Sequence, residues 1–124
     1  MEPPVIIVAD ADGEAARLLA DYLSRQGFPA SHTSRGEDAI RLARSGKLGL
    51  AIVDVSLVDM SGHALASWLK QIDREIPILM TSGDYRPELE MRARQVGVLY
   101  YAHKPTDYGR LQTVVAKAVG AECG

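Results

Sequence analysis

Asp54 stands at the end of the apolar run Leu50-Ala51-Ile52-Val53 and opens the stretch Val55-Ser56-Leu57-Val58-Asp59-Met60-Ser61-Gly62. An apolar run that stops at a carboxylate and then turns reads as a buried strand delivering that acid to one end of a sheet. Three other apolar runs end in comparable chemistry. Val5 to Val8 stops just before Asp10, Ile76 to Met80 leads into Thr81-Ser82-Gly83, and Leu99 to Ala102 leads through His103 into Lys104-Pro105. Acid, acid, hydroxyl and amine, gathered together, would make one site in which anionic oxygens face a cation and a hydrogen-bond donor. Taken singly, each has a plainer explanation. Asp54, Asp10 and Asp12 could be turn residues or helix caps, Thr81 and Ser82 are common in turns, and a lone Lys104 reads as a solvated surface lysine. Their shared place at the ends of apolar runs carries the functional reading.

The elements that would position them follow a regular order. A strand at 5–9 precedes a helix near 14–26, whose Ala15, Leu18, Leu19, Tyr22 and Leu23 have helical spacing and which Gly27 stops. A weak strand at 29–33 precedes a helix to about 45, opened by a capping box of Ser34 and Glu37. Strand 50–54 leads to a helix near 62–73 carrying Leu65, Trp68, Leu69 and Ile72, with Trp68 expected in the core. Strand 76–81 leads to a helix near 87–96 with Pro87 in its first turn, and strand 98–102 to a helix near 107–121. Five β-α units in alternation argue for a parallel sheet covered by helices on both faces. In open sheets of this kind ligands sit beyond the carboxyl ends of the strands, where Asp10, Asp54, Ser82 and Lys104 all fall.

The 124 residues fit one domain, with 47% hydrophobic and 24% charged side chains. A net charge of −2 gives no whole-chain signal for nucleic acid, and direct nucleic-acid binding is not expected. A single cysteine, Cys123, excludes an internal disulfide. No signal peptide and no apolar run of membrane-spanning length is seen, so a cytoplasmic protein without membrane insertion is expected. His32, His63 and His103 lack metal-ligand spacing.

From Val5 to Val119 the chain resembles the receiver domain of two-component response regulators (the CheY-like family). The resemblance rests on VIIVAD (5–10), IVDVSLVDMSG (52–62), PILMTSG (77–83) and YYAHKP (100–105), in family order and spacing. It implies a single flavodoxin-like (βα)5 domain over 1–124, with a core of about 5–119, strand order 2-1-3-4-5, and no effector domain in this chain. It also implies a function, phosphoryl transfer from a sensor histidine kinase or histidine phosphotransfer protein onto Asp54 with Mg²⁺. Asp10, Asp54 and the backbone carbonyl of Ser56 would hold the metal, with Asp12 reaching it through water. Lys104 and the Ser82 hydroxyl would meet the phosphoryl group, Pro105 would follow a cis peptide bond, and Ser82 with Tyr101 would form the switch. The output would be a changed surface for a downstream effector on the fourth helix, fifth strand and fifth helix. Any enzymatic activity would be self-catalysed phosphorylation and hydrolysis at Asp54, not metabolic turnover.

The sequence departs from the family pattern at Ala9, where a first metal-site acid is usual, and at Val58, where many members have proline. The Ala9 change keeps open a phosphorylation-independent receiver-like interaction module. A different class is raised by Asp10-Ala11-Asp12-Gly13, which resembles the first motif of haloacid-dehalogenase-type phosphohydrolases, with Asp10 as nucleophile and Asp12 as general acid/base. A flavodoxin-like FMN carrier fits less well, because the same acidic turn lacks the uncharged donors that a phosphate-binding loop offers.

Overall fold

Apolar runs and helical stretches resolve into five β-α units in the computed structural model, which describes residues 5–120. The strands are β1 (Val5–Ala9), β2 (Ala30–Thr33), β3 (Leu48–Asp54), β4 (Ile78–Ser82) and β5 (Tyr100–His103). The helices are α1 (Gly13–Arg25), α2 (Gly36–Arg44), α3 (Gly62–Ile72), α4 (Pro87–Val96) and α5 (Tyr108–Ala118). The sheet is wholly parallel, in the order β2-β1-β3-β4-β5. Met1 to Pro4, Cys123 and the last position of the expected fifth helix, Ala121, lie outside the described residues.

Alternation along each strand divides the core in two. Ile7, Val53, Ile78 and Met80 pack with Ala39, Ile40, Leu65 and Leu69 of α2 and α3. Ile6, Val8, Ile52 and Leu79 pack with Leu19, Leu23, Leu111 and Val115 of α1 and α5. Central β3 contributes to both clusters, so Leu50, Ile52 and Val53 are almost wholly buried, each side chain contributing about 1.5–3 kcal/mol of burial free energy. Among the described residues no helix is long and apolar enough to cross a membrane.

Element ends differ from the sequence expectation by less than a helical turn, because they are settled by individual hydrogen bonds. The Asp12 carboxylate caps α1 by accepting from the N–H groups of Glu14 and Ala15. Beyond α1, Gly27 takes φ +93, a left-handed conformation that turns the chain toward β2. The capping box expected of Ser34 and Glu37 does not form. Arg35 occupies the cap position of α2 without a side-chain bond, and Asp59, from the β3–α3 loop, accepts from the N–H groups of Gly36 at 2.7 Å and Glu37 at 3.1 Å. A cap supplied from another loop leaves no mark in the local sequence.

Two core expectations are corrected. Trp68 is 46% exposed, because the buried sector of α3 runs through Gly62, His63, Leu65, Ala66 and Leu69 and leaves it on the flank. Leu18 is 45% exposed, because Ala16, Leu19, Ala20 and Leu23 turn the opposite side of α1 to the sheet.

Candidate functional site

Parallel strands all end on the same side of a sheet, so the polar residues that follow β1, β3, β4 and β5 converge. Asp54 ends β3 and is 5% exposed, and Asp10 follows β1 and is 6% exposed. Lys104 follows β5, and its Nζ lies 2.6 Å from Asp10 Oδ2 and 2.9 Å from Asp54 Oδ1. One ammonium is thus shared by two carboxylates, which leaves the group net negative.

Each acid is further held by backbone. Asp10 Oδ1 accepts from the Asp12 N–H at 2.9 Å, and Asp54 Oδ2 accepts from the Ser56 N–H at 2.9 Å. Burial pushes the Asp10 carboxyl above its ordinary range and outweighs the lowering effect of Lys104 and the Asp12 N–H. Burial also acts on Lys104, pulling it down, but its bonds to Asp10 and Asp54 win and hold it above the usual lysine value. The contrast is physical, since the lysine has two anions, whereas Asp10 has only a share of one cation and the Asp54 charge beside it.

The backbone around Asp54 leaves no slack. Gly62, the first residue of α3, packs so closely that a Cβ there would lie 2.1 Å from the Asp54 carbonyl oxygen. Its N–H donates to the Val55 carbonyl at 2.8 Å. Opposite, the Lys104–Pro105 peptide bond is cis, as the resemblance implied.

The hydroxyls separate. In the register of β3 on β4, Asp54 lies beside Thr81, and Thr81 Oγ1 donates to Asp54 Oδ1 at 3.0 Å. Ser82, one residue on, belongs to the opposite face. Its hydroxyl donates to the Asp84 carbonyl at 2.8 Å and accepts from the Asp84 N–H, touching neither acid. Sequence reading singled out Ser82 and passed over Thr81 as a turn residue. Period-two alternation required one of these neighbours to face away from Asp54, but the strand register that decides which is not a local property. Tyr101, on β5, packs against the α2–α3 cluster beside which Ser82 also faces, and its buried hydroxyl has no hydrogen-bond partner.

The oxygens available to a hard cation are the Asp10 and Asp54 carboxylates and the Ser56 carbonyl, which accepts from the Ala11 N–H at 3.0 Å and so lies beside the end of β1. Among the described residues no set of three or more acidic, histidine or cysteine side chains is grouped for a metal, in keeping with Ala9 in place of an acid. Two carboxylates and a carbonyl still suit Mg²⁺, which keeps several waters and uses one or two protein carboxylates. Asp12 caps α1 through Oδ1, which accepts from the N–H groups of Glu14 and Ala15. An open cleft of about 220 Å³ lies on the α1–α5 side of the site, lined by Asp10, Thr81 and Lys104 together with Val8, Leu19 and Ile52.

Comparison with known proteins agrees with this geometry. Residues 6–116 match the family described as response regulator receiver domain. The transcriptional regulatory protein ZraR of Salmonella typhimurium is 31% identical over 114 residues, which are 92% of this chain and 26% of that protein. The chain therefore spans about a quarter of the length of these relatives. The polar-differentiation response regulator DivK of Brucella anthropi is 27% identical over 120 residues, covering 95% of this chain and 98% of DivK. The crystal structure of the receiver domain of NtrX from Brucella abortus superposes with a TM-score of 0.85 at 26% identity, covering 93% of this chain and 98% of that one. With the strand order, the convergent acids and lysine, and a family match over nearly the whole chain, this protein belongs to the response regulator receiver domain family of two-component signalling.

Proposed function

We propose that Asp54 accepts a phosphoryl group from a sensor histidine kinase or histidine phosphotransfer protein, and that the resulting aspartyl phosphate switches a surface read by an effector. The observation that carries this reading is Lys104 Nζ within hydrogen-bond distance of both Asp10 and Asp54. A buried carboxylate can approach an anionic phosphoryl donor only where positive charge is already in place.

Asp10, Asp54 and the Ser56 carbonyl would hold Mg²⁺, with Asp12 contributing through water. When bound, the metal offsets the charge of the acids and of the incoming phosphoryl oxygens. Asp54 supplies the attacking oxygen. Lys104 moves its hydrogen bond from the carboxylate to a phosphoryl oxygen. Ser82, already at the end of β4, exchanges Asp84 for another phosphoryl oxygen. Its departure from Asp84 frees the β4–α4 loop and lets Tyr101 turn, giving its hydroxyl a partner. The readout is the face of α4, β5 and α5, where Tyr85, Met91 and Leu99 are exposed and the Tyr85 ring stacks on His103 at 4.6 Å. These transactions belong to the cytoplasm, where such kinases present their phosphohistidine.

The test is labelling with acetyl phosphate and Mg²⁺. One base-labile phosphate mapped to Asp54 by mass spectrometry, absent in Asp54→Asn, supports the reading. Failure to label ends it.

A second reading is favoured by Ala9. With one acid fewer and a lysine already spanning the remaining two, the fold could serve as a phosphorylation-independent binding module. Such a module would hold its partner with equal affinity in wild type, Asp54→Asn and acetyl phosphate-treated protein.

A further inference from the structure

We propose that Thr81 is a catalytic residue that sets the lifetime of the aspartyl phosphate by hydrogen-bonding the carboxylate oxygen that does not carry phosphorus. The inference rests on the reading that Asp54 is phosphorylated. Asp54 Oδ1 already has two donors, Thr81 Oγ1 at 3.0 Å and Lys104 Nζ at 2.9 Å, whereas Oδ2 has only the Ser56 N–H at 2.9 Å. The oxygen with more free lone-pair density, Oδ2, is the better nucleophile. Phosphorylated there, Asp54 keeps Oδ1 as the carbonyl oxygen of an acyl phosphate, still facing Thr81.

Hydrolysis reverses this. A water oxygen bonds to phosphorus, the P–Oδ2 bond breaks, and its electron pair returns to the carboxylate, while the water proton leaves on inorganic phosphate. As the bond breaks, negative charge spreads from Oδ2 onto Oδ1. A donor fixed on Oδ1 is then stronger in the transition state than in the acyl phosphate, which is the condition for acceleration.

Thr81 is placed to be that donor. It is 4% exposed on β4, beside the central strand β3, and its own carbonyl accepts from the Val55 N–H at 3.0 Å, so its backbone is held in place next to Asp54. Lys104 is free to follow the phosphoryl group, but Thr81, one face away from Ser82, stays with the leaving carboxylate. The α1–α5 cleft that Thr81 lines also gives water a route to the site.

The full chain labelled with acetyl phosphate and Mg²⁺, then freed of donor, gives both rates. Thr81→Val is expected to hold its phosphate on the order of five- to twentyfold longer, the rate equivalent of one hydrogen bond to a partly charged oxygen. Labelling of Asp54 should be as fast as wild type or faster, since its carboxylate loses a donor that lowers nucleophilicity. A merely structural role would slow both steps. Thr81→Ser should restore the wild-type lifetime, and Thr81→Ala gives a second hydroxyl-free variant should Thr81→Val fold poorly. Labelled wild type with an unchanged lifetime in the hydroxyl-free variants overturns the role of Thr81 alone. Wild type that never labels overturns the phosphorylation reading and this inference with it.

Discussion

The Lys104 ammonium lies 2.6 Å from Asp10 Oδ2 although 94 residues separate them in sequence. The contact ties the end of the first strand to the end of the last and gives two buried acids their shared counter-charge. Lys104→Met should therefore destabilise the protein by about 1–3 kcal/mol at neutral pH, less than a fully buried pair because the lysine is partly solvated. The loss should depend on pH. Lys104 has a raised pKa, so its contribution is complete below the ordinary value of 10.5 and disappears as pH rises through the folded value. The raised Asp10 pKa means that its ionisation costs stability, a cost absent below 3.8 that builds as pH rises above that value and is complete once pH has passed the folded value. Urea denaturation across pH should show the gap between wild type and Lys104→Met narrowing at both extremes. A constant gap would contradict this account.

Ala9 is 1% exposed at the end of β1, where an added carboxylate would join Asp10 and Asp54. Ala9→Asp should bind Mg²⁺ more tightly, by about tenfold, because a further oxygen donor becomes available. Without metal the same change should lower stability by about 1–3 kcal/mol, since a third acid is buried beside one lysine. Calorimetric titration and melting with and without Mg²⁺ measure both effects. Equal or weaker affinity would refute the view that the missing acid limits the site.

Gly62 is required by proximity. A Cβ 2.1 Å from the Asp54 carbonyl oxygen meets backbone that has no flexible end to swing away. Gly62→Ala should cost about 1–3 kcal/mol by overpacking and should slow labelling of Asp54, whose strand end must shift. Gly13→Ala is the control, since nothing lies within 4 Å of a Cβ at that position. Chemical denaturation in which both variants match wild type would remove the steric argument.

Asp59 fastens the β3–α3 loop to α2 through the N–H groups of Gly36 and Glu37, and Val58 N–H donates to the Ser34 carbonyl at 2.9 Å. Proline at position 58 could not make the second bond, so the departure at Val58 adds a tie between the two loops. Slight burial pushes the Asp59 carboxyl up, but the two N–H donors outweigh it and hold it below its usual value. Asp59→Ala should cost about 1 kcal/mol near neutrality. That difference should be present above 3.8 and fade as pH falls through the lowered value. A difference that persists in strong acid would show that the loop is held by something else.

Fold class, element order and the convergence of Asp10, Asp54 and Lys104 were legible in the sequence. Apolar runs define strands and parallel strands bring their following residues to one end of the sheet, while the strand order that sets those ends side by side was legible only through the family resemblance. What lay beyond the sequence depended on contacts between distant segments. The register of β3 on β4 turned Thr81 rather than Ser82 to Asp54, the packing of α1 and α3 left Leu18 and Trp68 facing water, and Asp59 capped a helix that begins 23 residues earlier. Periodicity tells which residues share a face, but only the docking of one element on another decides what that face meets.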